Sequence, residues 1–457
     1  MRLSEPAASR GAGPSAPRAA GADDPSLKRN LTLLTLDGTF FTAGCAFYDS
    51  GTVIPALVST LTDSRFLIGL SSSVRNLGWF LPQLVVAHLI EHMRFKGRLV
   101  VVNSLLHRAG LLVMASILYL YAATRPALAL ALFFPVFVLA SLSEGVNGVP
   151  WTEAVANTIP PDRRGRLFAN QQVFGCSLAV LNGFVVRLVL KTAPYPNSYV
   201  ILFLCTFVWF LGSIVAFMGV REKPAVHVRP RAGLASYLRS LPGVWRANPR
   251  FAAVMVVRFC QAFIFLSLPF FVLHARQNLG ADIGTVGLYV SAQMLGSLAG
   301  SALAGRVSDR TGNRLVVIGS VLATCLAPAA ALALTLAHTL GAGGLASLLF
   351  PLVYLLMGAG FGAGYIGFTN YIIDIAPVTE RPTFIGLSNT LQAPFALLSA
   401  VGGALASWLG YEAVFGVSAV VGLAGVVLSL RLAEPRALGW SSLPPAVPVP
   451  SGAVRGK

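Results

Sequence analysis

Charged residues are scarce in this chain. Asp, Glu, Lys and Arg make up only 11% of its 457 residues, against roughly 25% in an average soluble protein. Hydrophobic residues make up 55%, and the mean hydropathy is +0.72. So little charge excludes a soluble globular protein and predicts an integral membrane protein.

Motifs for catalysis and for cofactor binding are also missing. The sequence has no G-x-x-x-x-G-K-[ST] phosphate loop, so it gives no support to ATP-driven transport. No metal-ligand spacing and no nucleophile with its base can be recognised, so we expect no metal, no cofactor and no enzyme activity. All five cysteines fall inside apolar runs, which favours neither a disulfide framework nor a metal site: Cys45, Cys176, Cys205, Cys260 and Cys325.

Long apolar runs recur along nearly the whole chain. Each is long enough to cross about 30 Å of hydrocarbon as a helix, and none shows the polar alternation of a barrel strand. The sequence therefore predicts an all-α integral membrane protein with about twelve transmembrane helices in two pseudo-symmetric six-helix bundles. In chain order we number these runs as spans 1 to 12: 31–58, 65–90, 98–121, 128–158, 168–190, 198–220, 251–275, 282–305, 314–337, 344–375, 383–409 and 411–432.

The net charge of +17 is distributed unevenly. With the N-terminus in the cytoplasm, about 26 of the 34 Lys and Arg fall in cytoplasmic segments. This asymmetry predicts a multi-pass protein of the plasma membrane with both termini cytoplasmic. It also suits contact with anionic lipid headgroups. Nucleic-acid binding is disfavoured, because no basic surface interleaved with aromatic residues supports it.

The polar segments divide the chain. Residues 1–30 and 433–457 are predicted to be disordered cytoplasmic tails, and residues 221–250 form a basic cytoplasmic linker between an N-terminal bundle, 31–220, and a C-terminal bundle, 251–432. The two bundles repeat one feature: Pro160 and Arg164 after span 4 match Pro377 and Arg381 after span 10. Repeated halves are typical of transporters whose site lies between them.

A loop motif follows span 8. Gly305 and Gly312 favour a tight turn, and an Asp at a helix end can accept hydrogen bonds from backbone N–H groups or from a neighbouring Arg. The segment resembles the loop signature of the major facilitator superfamily, G-x-x-x-D-R-x-G-x-R, at Gly305, Asp309, Arg310, Gly312 and Arg314.

This resemblance implies a rocker-switch transporter whose Asp309 docks at the N-terminus of helix 11, near Arg381 and Thr383. The corresponding loop of the first half, 87–98, lacks the Asp and the first Gly, and only Glu91 could replace the acid.

Ionisable residues inside the spans are candidates for function, because each costs at least about 2.5 kcal/mol at mid-membrane. Asp49 and Arg75 lie at similar depth, which favours a structural ion pair. Glu144 lies in the middle of span 4 at a depth comparable to Arg108, so it either bridges that arginine or carries a proton.

Two further charged residues, Asp37 and Arg258, occupy equivalent positions in spans 1 and 7. They form either a cytoplasmic gate or a structural pair. Uncharged polar residues either join helices or hydrogen-bond a polar solute; those predicted to line a cavity are Gln171, Gln261, Gln293, Asn370 and Asn389.

The sequence thus predicts a secondary active transporter. Its partner is a small-molecule substrate moved by alternating access, and its candidate coupling ion is the proton, carried by Glu144 or Asp37. It is expected to act as a monomer. The alternative is a non-transporting membrane sensor or a membrane-embedded enzyme on the same scaffold.

Overall fold

The computed structural model describes residues 25–90, 93, 95–222, 243, 245–246, 248–377 and 381–435. Within these ranges the regular structure is entirely helical, which confirms the all-α prediction. The predicted tails and the basic linker lie largely outside the described residues. One boundary was wrong, because the first helix begins at Pro25 rather than at residue 31.

Helices account for all of the predicted apolar runs. The first six spans comprise Pro25–Cys45 with Ala46–Tyr48 and Val53–Leu61, then Arg65–Ile90, Gly97–Tyr121, Pro126–Thr158, Pro161–Thr192 and Asn197–Met218. The last six comprise Pro249–Ala262 with Ile264–Ser267 and Phe270–Gln277, then Thr285–Thr311, Asn313–Thr339 and Gly343–Leu349 with Pro351–Ile375. Span 11 comprises Arg381–Gln392, Ala393–Leu397 and the part of Leu398–Ser429 before Gly410, and span 12 is the part after Gly410.

The count of membrane crossings follows from length and apolarity. In the described part of the chain nine helical stretches are long and apolar enough to cross a membrane. The last of them, Phe384–Ser429, contains spans 11 and 12, because Gly410 interrupts it with φ 84° and ψ 175°. The chain is therefore a multi-pass membrane protein. Spans 1 and 2 carry more polar residues and miss that criterion, so the count of twelve stays a prediction.

Several spans are broken rather than straight. Span 1 loses its helix at Asp49, whose φ of −71° and ψ of 133° are extended. In span 7 Pro269 separates two short helices, since proline cannot donate a backbone hydrogen bond to the preceding turn. Breaks of this kind expose backbone polar groups, which is tolerated in a membrane only where protein or a cavity surrounds them.

Small residues bring the helices close together. On span 8, a Cβ added at Gly296 or at Gly300 would collide with the backbone of span 10 at Leu355 or Ala359. Such contacts are the usual means of helix association in lipid, where the hydrophobic effect does not drive one helix onto another. Spans 8 and 10 consequently pack with their backbones in close contact.

The apolar core is divided differently at the two ends of the molecule. We call the end at Leu61, Tyr121 and Thr192 the outer end, and the end at Thr158, Met218 and Thr311 the linker end. At the outer end one continuous cluster joins the first six spans to the last six; it includes Tyr48, Phe137, Phe203, Phe271, Tyr289 and Tyr354.

At the linker end the core consists of two separate clusters. One belongs to the first six spans and includes Leu34, Val155 and Phe217. The other belongs to the last six spans and includes Phe251, Val317 and Phe384. The two groups of helices therefore pack together at the outer end and part towards the linker end.

Candidate functional site

Spans 2 and 11 close one side of the outer end. The backbone N–H of Ala400 donates to the Ser73 hydroxyl at 3.0 Å. One turn further out, a Cβ at Gly69 would collide with the Ser399 carbonyl oxygen, so only glycine allows the two backbones to come this close. This contact therefore closes the space between the two groups of spans. Together with the contact of spans 5 and 8 on the opposite side, we call it the outer seal.

Spans 5 and 8 close the opposite side. Ser291 Oγ donates to the Val180 carbonyl at 2.8 Å. At the surface Lys191 Nζ lies 3.0 Å from an Asp282 carboxylate oxygen, and the hydrogen bond from Lys191 lowers the pKa of that carboxyl. Both side chains are about half exposed, so the ion pair contributes little and the buried contacts hold the seal.

The seal weakens towards the linker end. Gln172 on span 5 still reaches Ser297 and Ser301 on span 8, but at 3.3 and 3.4 Å. Further along span 8 a Cβ added at Gly305 would meet no atom within 4 Å. The space between the two groups of spans is therefore open on this side.

Glu144 and Arg75 form an ion pair in the middle of the first six spans. Arg75 Nη1 donates to Glu144 Oε2, and Nη2 donates to Oε1 at 3.2 Å. The Arg75 guanidinium lies over the Tyr48 ring, 4.2 Å from its centre. The predicted partners were wrong for both residues: Arg75 does not bind Asp49, and Glu144 does not bind Arg108.

The Arg108 side chain points to another face of span 3. It donates from Nε and Nη2 to the Phe210 carbonyl, at 2.8 and 2.5 Å, and from Nη1 to the Ser104 carbonyl at 2.8 Å. These carbonyl dipoles compensate its charge, and the side chain is 4% exposed. Arg108 therefore joins span 3 to span 6 and is absent from the open space.

Asp49 closes the break in span 1. Its Oδ1 accepts from the Gly51 backbone and from the Thr52 hydroxyl, both at 2.8 Å. Its Oδ2 accepts from Gln293 of span 8 at 3.2 Å. Because this last bond links the first six spans to the last six, Asp49 and Gln293 belong to the outer seal.

Asp37 is held by neutral donors. Trp151 Nε1 donates to Oδ2 at 2.7 Å, and the Ser213 hydroxyl donates to Oδ1 at 2.6 Å. The side chain is 6% exposed, and no basic group of the described residues forms an ion pair with it. Its predicted contact with Arg258 is absent, because the two residues lie on separated groups of spans.

Arg258 lies on span 7 with neutral partners. It donates to the Ser388 hydroxyl and, from Nη2 at 3.3 Å, to the Asn389 side-chain oxygen. Its guanidinium lies 5.8 Å from the centre of the Phe368 ring of span 10. No carboxylate of the described residues pairs with it.

The other polar candidates mostly join helices. Gln171 donates to the Leu34 carbonyl at 2.6 Å. Gln261 donates to Ser320 and Thr324 of span 9, at 2.6 and 3.0 Å. Asn370 is half-buried and makes no hydrogen bond within the described residues.

Tyr365 was missed by the sequence analysis. It lies in the linker-side half of span 10, where every other described side chain is buried or half-buried, yet 74% of it is exposed. Its helix is covered by spans 8 and 9, so the exposed ring faces the open space between the two groups of spans. A tyrosine within an apolar run gives no separate signal, because aromatic residues are common there.

The loop motif differs from its prediction. Gly305 lies inside the span 8 helix rather than in a turn, and only Gly312, with φ 94°, takes the left-handed conformation. Asp309 and Arg310 are exposed, and within the described residues Asp309 makes no hydrogen bond or ion pair, so it does not dock on Arg381 here. The side chains of Glu91 and Thr383 lie outside the described part.

Near this loop, Asp374 is the acid whose hydrogen bonds join neighbouring helices. It accepts from Asn313 Nδ2 at 2.6 Å, and Asn313 Oδ1 accepts from the Ser308 hydroxyl at 2.7 Å. This chain of bonds fixes the end of span 8 to the end of span 10.

In each group of six spans, one glutamate caps the N-terminus of the third helix. Glu222, just after span 6, accepts from the backbone N–H groups of Lys96 and Gly97 at 3.0 and 2.9 Å. Glu434, just after span 12, accepts from the Arg314 backbone at 2.9 Å. An acid at a helix N-terminus is favoured by the helix dipole. The sequence analysis missed this repeat because it lies across the ends of distant helices.

The repeat that was predicted is visible at Arg164. Its Nε and Nη2 donate to the carbonyls of Ile159 and Ala156, at 2.9 and 2.7 Å, and so close the end of span 4. Its counterpart Arg381 begins the first helix of span 11.

The fold is that of a multi-pass membrane protein with polar side chains between two groups of spans. The family model of the Major Facilitator Superfamily matches residues 260–453. Among solved structures, a D-xylose–proton symporter is similar with a TM-score of 0.67 at 14% identity, over 90% of this chain and 99% of that one.

Two other solved structures are similar. A bacterial homologue of the iron transporter ferroportin, in its inward-facing state, has a TM-score of 0.63 at 14% identity over 89% of this chain and 99% of that chain. The human organic anion transporter MFSD10 has a TM-score of 0.60 at 15% identity over 89% of this chain and 100% of that chain.

At such identities the likeness shows the fold. No curated protein matches the sequence. The family match over residues 260–453 and the fold both support the resemblance to the major facilitator superfamily that the loop motif predicted.

Proposed function

We propose that the protein is a secondary active transporter that moves a small organic solute across the plasma membrane by alternating access. The observation that carries this proposal is the division of the apolar core, continuous at the outer end and split into two clusters at the linker end. A solute can reach the polar side chains between the two groups of spans from the linker end only. Rocking the two groups about their middle exchanges the open end for the closed one.

The linker end is cytoplasmic in this proposal. The excess of Lys and Arg on that side supports the orientation, since basic residues are retained in the cytoplasm. The protein then has both termini inside and acts as a monomer. The conformation described above is the inward-open state.

The coupling ion is the proton, and Asp37 carries it. Glu144 is the weaker candidate, because both of its carboxylate oxygens already accept hydrogen bonds from Arg75. Asp37 binds only the neutral groups Trp151 and Ser213. A buried carboxylate without a cation gains most from accepting a proton.

The proposal can be tested with reconstituted protein. Proteoliposomes are loaded with an equimolar mixture of sugars, amino acids and organic acids, and the release of each is followed by mass spectrometry with and without the same solute outside. We expect saturable release of one chemical class that is accelerated by that solute on the opposite side. If every solute leaves at the rate of empty liposomes, the transport proposal is wrong.

A further inference from the structure

We propose that Arg258 binds an anionic group of the transported solute, and that the substrates are small organic anions with an apolar body. This inference rests on the proposed transport function and specifies its substrate class. It follows from how the charge of Arg258 is compensated, compared with Arg75 and Arg108, the two other arginines predicted to lie deep in the membrane.

The three arginines differ in their partners. Arg75 has a carboxylate, that of Glu144. Arg108 has three hydrogen bonds to two backbone carbonyls, Phe210 and Ser104. Arg258 has one hydroxyl, one amide oxygen and the face of an aromatic ring.

A buried charge without a counter-charge costs several kcal/mol. Of the guanidinium's five N–H donors, two have partners among the described residues, on Ser388 and Asn389. The remaining donors form a fork that matches a carboxylate or a phosphate. A solute anion is therefore the counter-charge that the described residues do not supply.

Arg258 also lies where a solute can reach it. It is half-buried, whereas Arg108 is 4% exposed. Its ring partner Phe368 lies on span 10, three residues after Tyr365, which is a rise of about 4.5 Å along the helix. Arg258 therefore lies about one helical turn from the side chain that faces the open space. With 74% of its surface exposed, Tyr365 shows that the wall beside Arg258 is open.

The neighbouring wall is aromatic. Phe361, one turn beyond Tyr365, packs on Phe265 of span 7 with ring centres 6.3 Å apart. Phe395 of span 11 stacks on Phe259 at 4.7 Å. All four rings are half-buried and lie on the spans that hold Arg258 and its partners. Such a surface suits an apolar body attached to the anion.

The charges of the loaded site balance. In the described part of the first six spans two intramembrane carboxylates have no cation: Asp37, buried against Trp151 and Ser213, and Asp49, which lies at the outer end. Glu144 is paired with Arg75. If Asp37 binds a proton when Arg258 binds an anion, the loaded protein gains one positive and one negative charge. Proton and anion can then cross together without moving net charge.

The test uses the purified full-length protein and its thermal unfolding in detergent. The probes share a phenyl body: 3-phenylpropionate and phenyl phosphate carry an anion, 3-phenylpropanamide is neutral, and phenethylamine is cationic. A ligand that binds only the folded protein raises the unfolding temperature. We expect the anions to stabilise the wild-type protein and the amide and amine to do so at least about tenfold less effectively.

Variants separate an anion site from a structural arginine. Arg258→Gln should raise the half-saturating concentration of the stabilising anion by about tenfold or more, and Arg258→Lys should keep part of the affinity because it keeps the charge. Arg250→Gln is the matched control, since it removes a positive charge from the exposed start of the same helix. Without ligand, Arg258→Gln should unfold at or above the wild-type temperature.

Two results would overturn the inference. One is a wild-type protein that no anion of the set stabilises more than the amide does. The other is unchanged anion affinity in Arg258→Gln. Neither depends on transport, so the proposed function can stand if the anion site fails; preference for carboxylate or phosphate identifies the source of the anion.

Discussion

Arg75 and Glu144 bind each other through both carboxylate oxygens, beneath the ring of Tyr48. The pair joins span 2 to span 4, so both partners belong to the first six spans and move together with them. An ion pair inside one moving group is not broken when the two groups rock. We therefore assign it to the stability of that group.

Replacing one partner of this pair should destabilise the fold. Glu144→Gln leaves a buried guanidinium without its counter-charge, for which we expect a loss of about 3–5 kcal/mol. Thermal unfolding of the purified variant measures the loss. Arg75→Met combined with Glu144→Met should recover much of it, because the buried charge is then gone.

The same variant distinguishes a role of Glu144 as proton carrier from a role in stability. If Glu144→Gln unfolds at the wild-type temperature and keeps exchange, but no longer accumulates solute under a pH gradient, Glu144 carries the proton and the assignment to stability is wrong.

Asp37→Asn should uncouple transport. The amide keeps the size of the side chain and can still meet Trp151 and Ser213, but it cannot take up a proton. We expect exchange to persist and accumulation against a gradient under a pH difference to be lost. Proteoliposomes with imposed internal and external pH give both rates.

Trp151→Phe is the control for Asp37. It removes one donor to the carboxylate but leaves the titration, so gradient-driven accumulation should continue. Full accumulation by Asp37→Asn would exclude this residue as the proton carrier.

Asp309→Ala should impair transport more than folding. With the linker end open, the Asp309 side chain is exposed and makes no hydrogen bond or ion pair within the described residues, so its loss removes no contact. When the linker end closes, we expect an acid at the end of span 8 to approach the N-terminus of its packing partner, span 5. We expect slower exchange at an unchanged unfolding temperature.

Arg306→Ala serves as the control for Asp309, since it changes another exposed charge of the same helix. Equal exchange rates in Asp309→Ala and the wild-type protein would show that the loop motif has no role in the conformational cycle.

The two capping glutamates should contribute to stability. Glu222→Gln weakens two bonds to backbone N–H groups at the start of span 3, for which we expect a loss of about 0.5–2 kcal/mol. Asp63→Asn is the control, because Asp63 is an exposed carboxylate that makes no side-chain hydrogen bond or ion pair within the described residues. A loss in Asp63→Asn equal to that in Glu222→Gln would contradict the capping role. Thermal unfolding again gives the comparison.

Much of the fold could be predicted from the sequence, because lipid imposes long apolar helices and few alternatives. The resemblance of the loop motif to the family signature could be recognised because its residues lie within ten positions of each other. The breaks in spans 1 and 7 were not predicted. Asp49 and Pro269 lie inside runs whose hydropathy continues across them, so no local pattern marks the break.

The pairing of charges could be predicted only in part. Depth along a span follows from sequence position, which placed Arg75 level with Asp49 and Arg108 level with Glu144. Rotation of one helix against the next does not follow from depth. In the structure the rotation of span 3 places Arg108 at the Phe210 carbonyl, and Glu144 pairs with Arg75 instead.

Alternating access is tested most directly by locking the outer end and probing the linker end. In a cysteine-free background, Ser73→Cys and Ala400→Cys form a pair across the outer seal, where the Ser73 hydroxyl lies 3.0 Å from the Ala400 nitrogen. Thr152→Cys, exposed on span 4, reports on the open space through its reaction with a membrane-impermeant maleimide added from the linker side.

We predict that oxidation of the outer pair increases the labelling rate of Thr152→Cys, because every molecule is then held open at the linker end, and that reduction restores the original rate. A labelling rate that is the same with the outer pair oxidised and reduced would mean that the two ends move independently, and would contradict alternating access.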